Sequence, residues 1–504
     1  MFRLRRKVYL DNNATTAIAP AVVRKMHHVL KHQYGNPSSL YKISYASAEL
    51  LATSRAEIAG KLHAQPEELF FTGCATESNN QIIHSAFEHH FPSKTTILTT
   101  PIEHPSVLST LEYLKTKGLR VEYVPVDSCG RIKMDAYQAM VDDSCFLVCA
   151  MFVNNELGTI QDIRELARIA HAHGALFFSD CVQAFGKIPV DVQELDIDYA
   201  SFSAHKINGP KGVGALYART GAPLEPFIHG GHQERGFRAG TEGLHNIAGF
   251  AQAVKELPKP GKGSGASSQM DKVMKDFRRG LKSVVSGCVF NTPETDSVSN
   301  TLNVTFPGRP NAFLMAFLDI KGISVSAGSA CNTPSNDPSH VLTAIGLTEE
   351  QARETIRFSL SRKTTASDVR YTLRAISEFV NEKDDSIHML TPFEFDESLM
   401  LNPEMYILDI RTSYERKALR SLPNSHEAEF WKMDRYLKYL PKNKSIVVVC
   451  HGGMNSPVIA YYLKKKGFRN LSFIMTGMVG WKLAHPDLYS KYAGTNITHL
   501  GTRD

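Results

Sequence analysis

Three short apolar runs constrain the fold of this chain most: Phe146 to Val153, Ala175 to Phe178 and Asp198 to Phe202. Each reads as a strand buried on both faces. Between the first two lies a helical pattern, Asp162 to His173, stopped by Gly174. A strand, helix, strand alternation of this kind implies a parallel sheet and an α/β fold. Residues at the carboxyl ends of such strands are placed to face a cleft.

Those strand ends carry chemistry. Asp198-Tyr199-Ala200-Ser201-Phe202 runs into Ser203-Ala204-His205-Lys206 and then the glycine-rich turn Gly209 to Gly214. A lysine held on rigid backbone, with its amine partly dry, is nucleophilic toward a carbonyl and can carry a Schiff base. Asp180 closes the neighbouring strand, where a buried carboxylate must find a cationic partner or stay protonated. A pyridinium nitrogen is a suitable partner. Together, a Schiff-base lysine and a carboxylate for a ring nitrogen are the protein's share of pyridoxal phosphate chemistry.

Other segments fit around this pair. Phe70 to Thr72 is a short strand, followed by Gly73-Cys74-Ala75 and a helix beginning near Thr76. A hydroxyl there serves either as an ordinary N-cap or, with the free N–H groups, as an anion site. His104 follows a strand from Thr95 to Thr100 and precedes Pro105, which opens a helix. Residues 324–340 are small, polar and proline-rich around one thiol, Cys331, which makes that stretch an exposed loop. Ile356 to Arg362 alternates in strand fashion and presents Arg357, whose planar fork suits a carboxylate.

With Asp180-x-x-Gln183 and Ser203-x-His205-Lys206 in place, the sequence resembles the cysteine desulfurases of the class V aminotransferase group. Gly328-Ser329-Ala330-Cys331 is similar to their nucleophile motif. The resemblance covers residues 1 to about 385. It implies a pyridoxal 5'-phosphate-dependent transferase of fold type I, with a large domain over about 16–258 and a small domain from about 1–15 and 269–385. It also implies that L-cysteine is converted to L-alanine, leaving a persulfide on Cys331.

The family's roles then fall on particular residues. Lys206 binds the cofactor, with Ser203 and His205 in the same motif, and Asp180 and Gln183 attend the ring. Ala75 and Thr76 belong to the phosphate loop. His104 stacks on the ring and handles protons, and Asn155 bonds the phenolic oxygen. Asn36 lies near the substrate carboxylate, which Arg357 clamps. Thr241 reaches the phosphate of a neighbouring subunit's cofactor, and so implies a homodimer. Three positions depart from the usual pattern: Cys74 replaces a small residue, and His232 and Ser361 replace glycines.

Behind Glu382-Lys383-Asp384-Asp385 a further α/β unit, 386–504, is expected. Ser445 to Val449 is a strand that ends at Cys450-His451-Gly452-Gly453, followed by a helix from Pro457 to Lys466. A cysteine between a strand and a helix N-terminus has donors and a dipole to stabilise a thiolate or persulfide. With Thr391 to Phe395 at its start and Gly477 to Trp481 near its end, the unit resembles a rhodanese domain. Asn455 stands where an arginine is common, and Ser421-Leu422-Pro423 replaces the usual Gly-His-Ile-Pro. Fewer cations disfavour thiosulfate or phosphate and favour a persulfide handed over by another thiol. The alternative is an inactive rhodanese fold kept for docking. For the whole chain, a selenocysteine lyase and another class V aminotransferase compete.

Composition sets the frame. At roughly 100–200 residues per domain, 504 residues allow about three to five. With 57 basic against 51 acidic residues the charge is nearly balanced, and no direct nucleic-acid binding is expected. The eight cysteines show no C-x-x-C spacing, which argues against a zinc site or disulfide framework and for reduced, cytoplasmic surroundings. The basic start Arg3 to Lys7 meets strand-like Val8-Tyr9-Leu10 with no secretory apolar segment, and no run suggests a membrane span. His171 and His173 read as part of a solvated helix face. Sulfur acceptors remain open: an iron–sulfur scaffold, tRNA thiolation proteins or molybdenum-cofactor sulfuration.

Overall fold

The computed structural model describes residues 6–258, 265–328, 338–381, 387–453 and 455–500. Cys331, expected as the nucleophile, lies outside the described residues. Among these residues no helix is long and apolar enough to cross a membrane.

After β1 (Val8–Tyr9), one seven-stranded sheet is built from β2 (Leu69–Thr72), β3 (Thr96–Thr99), β4 (Arg120–Tyr123), β5 (Cys145–Cys149), β6 (Leu176–Asp180), β7 (Tyr199–Ser203) and β8 (Gly214–Ala218). Their order is β2-β8-β7-β6-β5-β3-β4. The run from β7 to β4 is parallel, as the strand–helix alternation requires. The link from β7 to β8 is too short for a crossover helix, so β8 returns antiparallel and places Lys206 in the turn between them. Helix Ile163–Ala172 between β5 and β6 is capped by Asp162, which accepts the Glu165 N–H (3.3 Å), and the chain leaves it through Gly174 at φ +66.

Both faces of the sheet are covered, which explains the continuous apolar runs. Successive residues alternate between layers: Phe177 joins one core cluster and Phe178 the other. Cys145, Cys149 and Cys181 are fully buried in these layers. Burial pushes the Cys145 thiol up to about 11 and the other two thiols up as well, so they are core and not reactive.

The small unit carries β9 (Val289–Phe290), β10 (Thr301–Thr305), β11 (Ile323–Ser324) and β12 (Thr355–Ser359). β12, β10 and β9 form an antiparallel sheet, and β1 pairs in parallel with β11, so the start of the chain returns to this unit. Residues 387–500 form a parallel six-stranded sheet from β13 (Ile387–Leu390), β14 (Met405–Asp409), β15 (His426–Glu427), β16 (Ser445–Val449), β17 (Leu471–Ile474) and β18 (Thr498–His499), in the order β13-β17-β16-β14-β15-β18.

The tail is packed onto the small unit. Its helix Ser456–Lys465 lies along helix Asn311–Ile320. Tyr461 is counted in the small unit's own core, 5.9 Å from the Phe317 ring. Phe313 spans both cores, 6.3 Å from Tyr461 and 5.2 Å from Phe473.

Two ionic features were not legible as such. His171 is half-buried, with Nε2 2.7 Å and Nδ1 3.2 Å from Asp198 and Asp196, and the Asp198 hydrogen bond holds it above the usual histidine range. The solvated reading of this residue is therefore corrected: the carboxylates sit on the segment leading into β7, far away in sequence. Glu234 is buried and accepts two bonds from Arg55 (2.6 and 2.7 Å) and one from the Phe71 N–H (2.8 Å), which ties the loop before Thr241 to β2. His232, in that loop, takes φ −88, so no glycine is required there.

Candidate active site

The carboxyl ends of β2, β5, β6 and β7 open on one cleft. Its wall includes Ala75, Thr76, His104, Asn155, Asp180, Gln183, Ser203, His205, Lys206 and Arg357, all singled out from the sequence. Asn36 does not line it. Its Oδ1 accepts the Ser38 N–H (3.0 Å), a local turn that takes up the side chain. Thr241 is exposed and borders a separate cavity with Gly73, Arg238 and Glu242.

Lys206 comes off β7 in a short 3-10 turn, and its amine donates to the carbonyls of Asn13 (2.5 Å) and Ala14 (2.8 Å). The polar turn after β1 thus crosses the lysine. It is fixed on its far side, where the Asn13 side chain donates to Thr301 Oγ1 (2.8 Å) and the Asn155 carbonyl (3.0 Å). Gln183 donates to the same Asn13 carbonyl (3.0 Å), and half-buried Lys187 bonds both the Gln183 oxygen and Asn13 Oδ1. Burial, with Lys206 and Arg357 nearby, holds the Lys187 amine well below the usual lysine range.

Asp180 is aimed by its neighbours. The Val182 N–H donates to Oδ1 (3.0 Å) and the Asn79 amide to Oδ2 (3.0 Å). Asn79 also donates to Ser106 Oγ (2.8 Å), while its own Oδ1 has no partner among the described residues. His104 is the N-cap of helix Pro105–Lys115, with Nδ1 accepting the Ser106 N–H (3.1 Å). Burial holds the His104 ring below the usual histidine range; Asp180 opposes this, and Lys206 and His340 add to it. His205 is pushed down to about 4 by burial and by Lys206 and Lys211. At neutral pH both rings are therefore uncharged.

Arg357 is buried on β12, donating to Asp11 Oδ1 (2.9 Å) and to the Asn155 carbonyl (2.9 Å). Its Nε has no partner among the described residues. At the opposite end, helix Ala75–His90 starts at Cys74 without a side-chain cap, so its first N–H groups remain for an anion. A Cβ on Gly214 would lie 2.7 Å from the Cys74 carbonyl carbon and 2.9 Å from Ala75 N, so only glycine lets β8 pass this close.

These donors fit pyridoxal phosphate: an uncapped helix start for a phosphate, an oriented carboxylate for a protonated ring nitrogen, and an amine for an aldehyde. Sequence reading gave no individual role to Asn13, Ala14, Asn79 and Lys187. The last two had a signal, since Asn79 follows Thr76 and Lys187 follows Gln183 by one helical-type turn. The crossing of Asn13 over Lys206 had none in spacing or periodicity, because nearly two hundred residues separate them.

In the tail, Cys450 directly follows β16, is 3% exposed, and its sulfur accepts the Gly453 N–H (3.1 Å). The loop is tightly backed: a Cβ on Gly453 would meet the Met475 carbonyl, and one on Gly477 would meet the Cys450 carbonyl. Ser456 Oγ, Thr476 Oγ1 and His451 Nδ1 are buried nearby in the sequence of these loops with no partner among the described residues. Arg411, paired with Asp409 (2.7 Å) and bonded to the Leu419 carbonyl, is fully buried and structural.

Comparison with known proteins agrees with this geometry. Residues 8–372 match the aminotransferase class-V family and residues 393–484 the rhodanese-like domain. A cysteine desulfurase IscS of Methanosarcina thermophila is 38% identical over 395 residues, covering 77% of this chain and 95% of its own. A solved NifS-like protein superposes with a TM-score of 0.69 at 41% identity, covering 74% of this chain and 99% of its own. The structure described as SspA in complex with cysteine gives 0.63 at 34%, covering 71% of this chain and all of its own. The chain belongs to the pyridoxal phosphate-dependent cysteine desulfurases of the class-V aminotransferase family, with a rhodanese-like domain at its C-terminal side.

Proposed function

We propose that this enzyme takes sulfur from L-cysteine onto Cys331, releasing L-alanine, and that Cys450 receives that sulfur and presents it to an acceptor protein. The observation that carries the reading is the convergence of Lys206, Asp180, His104 and Arg357 on one cleft. The division into a desulfurase, 1–385, and a rhodanese-like unit, 386–504, is part of the same proposal.

Bound pyridoxal phosphate supplies an electron sink for the amino acid's α-carbon. Asp180, oriented by Asn79 and Val182, keeps a proton on the ring nitrogen. Ala75 and Thr76 would hold the phosphate with first-turn N–H groups, joined by Ser203 and His205 of the same copy and by Thr241 of a second copy. Gln183 and Asn155 fix the other ring substituents. Arg357, already anchored by Asp11, turns its remaining donor to the substrate carboxylate, with Asn36 assisting only after leaving its turn. Lys206 would remove the substrate α-proton, and neutral His104 would accept or return a proton beside it.

Sulfur then moves by thiol chemistry. The Cys331 thiolate forms an S–S bond as the Cβ–S bond of cysteine breaks, and the electron pair left on carbon takes up a proton to give alanine. Cys450 thiolate attacks the outer sulfur of that persulfide, and Cys331 leaves as a thiolate. The Gly453 N–H, already on Cys450 Sγ, supports the anionic forms. Acceptors are iron–sulfur scaffolds or tRNA and cofactor thiolation proteins. The homodimer draws support from the exposed large apolar side chains Tyr34, Leu40, Tyr41, Ile43 and Tyr45, close together in sequence, and from Thr241, which borders a cavity other than its own cleft.

Radiolabelled cysteine tests the scheme. Cys331→Ala is expected to abolish alanine and persulfide, whereas Cys450→Ala leaves alanine formation intact and loses label from residues 387–500. Alanine made at the wild-type rate by Cys331→Ala would sink the first half. Label on Cys331 but never on Cys450 of the wild type would sink the second and leave the tail as a docking surface.

A further inference from the structure

Two lysine amines grip the turn after β1, one through its backbone and one through a side chain. Lys206 donates to the backbone carbonyl of Asn13, and Lys187 donates to the side-chain Oδ1 of the same residue (2.8 Å). The Lys187 amine also donates to Gln183 Oε1. Lys187 is not part of the cleft wall, and the chemistry assigned to the cleft leaves this amine unused.

The arrangement has a direction. An amine that meets two amide oxygens gives each of them a proton, so the end of Gln183 at Lys187 is Oε1 and the amide N–H end is turned away from it. That end, Nε2, donates to the Asn13 carbonyl (3.0 Å), the oxygen that also takes Lys206. The Gln183 N–H groups thus stand beside the Lys206 amine. In pyridoxal phosphate the phenolic oxygen is attached next to the aldehyde carbon that such an amine joins. A donor at this spot suits that oxygen as an anion, whereas an amide oxygen there would repel it. Asn13 is held just as closely: Asn300 Nδ2 donates to the same Oδ1 (3.0 Å), the Asn13 N–H donates to Ser359 Oγ (2.9 Å) and the Asn13 amide to Thr301 Oγ1 (2.8 Å). Burial and the facing charges of Lys206 and Arg357 disfavour a cation on Lys187, so a lysine is costly at this place unless its two bonds are used.

We propose that Lys187 is a positioning residue for the cofactor: by taking Gln183 Oε1 and Asn13 Oδ1 it turns the Gln183 N–H toward the phenolic oxygen and fixes the Asn13 turn against Lys206. The inference rests on the reading of Lys206 and Gln183 as cofactor residues. Lys187 stands behind the cleft wall, so its loss falls on the affinity and titration of the cofactor and not on amino-acid binding at Arg357.

The test compares the wild type with Lys187→Met, Gln183→Met and the double variant. Equilibrium dialysis of the cofactor-free proteins against pyridoxal phosphate should show about tenfold weaker binding in Lys187→Met, the loss of hydrogen bonds from a donor able to carry charge. The double variant should lose less than the two single losses multiplied, because part of the Lys187 effect runs through Gln183. In the loaded proteins the pH midpoint of the cofactor's visible absorbance band should rise by about one unit in Lys187→Met, since the donor to the phenolic anion is no longer fixed and a neighbouring amine that carries positive charge is gone; both favour the protonated form. L-Cysteine affinity of the loaded variant should change little. An unmoved midpoint overturns the proposal whatever the affinity, because a residue that only supports the fold does not shift it; so do losses that multiply in the double variant. If Lys187→Met does not fold, Lys187→Gln is read by the same two measurements. A visible band that survives Lys206→Ala would instead overturn the reading beneath it.

Discussion

Replacing Glu103 by glutamine isolates one buried proton. Its Oε1 accepts Thr100 Oγ1 (2.7 Å) and the Met151 N–H (3.0 Å), and Oε2 has no partner among the described residues. Burial pushes this carboxyl from 4.5 up to about 8, with the two hydrogen bonds opposing and Asp180 adding. Between those values the folded protein keeps a proton that the unfolded chain has released. Stability therefore falls as pH rises through that window, by about 1.4 kcal/mol per unit. From roughly pH 5.5 to 7.5 the loss is about 2.7 kcal/mol, and Glu103→Gln, which cannot ionise, does not suffer it. Urea unfolding of both proteins, followed by cofactor release at fixed pyridoxal phosphate, measures the difference. The variant should gain on the wild type by that amount between the two pH values. Parallel stability profiles would refute the reasoning, whatever the absolute stability of either protein.

Three other outcomes are expected. Glu234→Gln breaks a buried ion pair and should cost about 3 kcal/mol in the same unfolding transition, whereas Arg55→Met with Glu234→Met together should be milder than Glu234→Gln alone. Gly214→Ala forces a methyl against backbone at the start of the phosphate helix, so equilibrium dialysis should show weaker cofactor binding by about tenfold or more, with L-cysteine affinity of the remaining holoenzyme little changed. Phe313→Ala removes the ring shared by the small unit and the tail; at about 2–3 kcal/mol for a partly buried phenylalanine it should loosen the tail, seen as faster hydrogen exchange in helix Ser456–Lys465 while the cofactor spectrum is retained.

What the sequence revealed was mostly local. Continuous apolar runs gave β5, β6 and β7, because a sheet covered on both faces needs no alternation, and Asp162 and Gly174 bounded the helix between them within a residue or two. Asp180 and Lys206 stood out because each ends such a run. What escaped was made by contacts between distant segments. The carbonyls of Asn13 and Ala14 reach Lys206 only because β1 pairs with β11 and not with the large sheet. His171 looked solvated on its own helix, yet Asp198 meets it from the segment leading into β7. Asn36 was placed at the substrate by likeness alone, and a bond to its own neighbour Ser38 holds it elsewhere.

Tyr461 belongs by position to the tail and by packing to the interior of the unit before it. A carrier swinging on a tether would sample many orientations and meet its donor by chance. One seated through a shared aromatic layer has a single bearing, so in the proposed relay the receiver does not travel to meet its donor. Surface changes on helix Asn311–Ile320 should therefore alter sulfur traffic without touching either thiol.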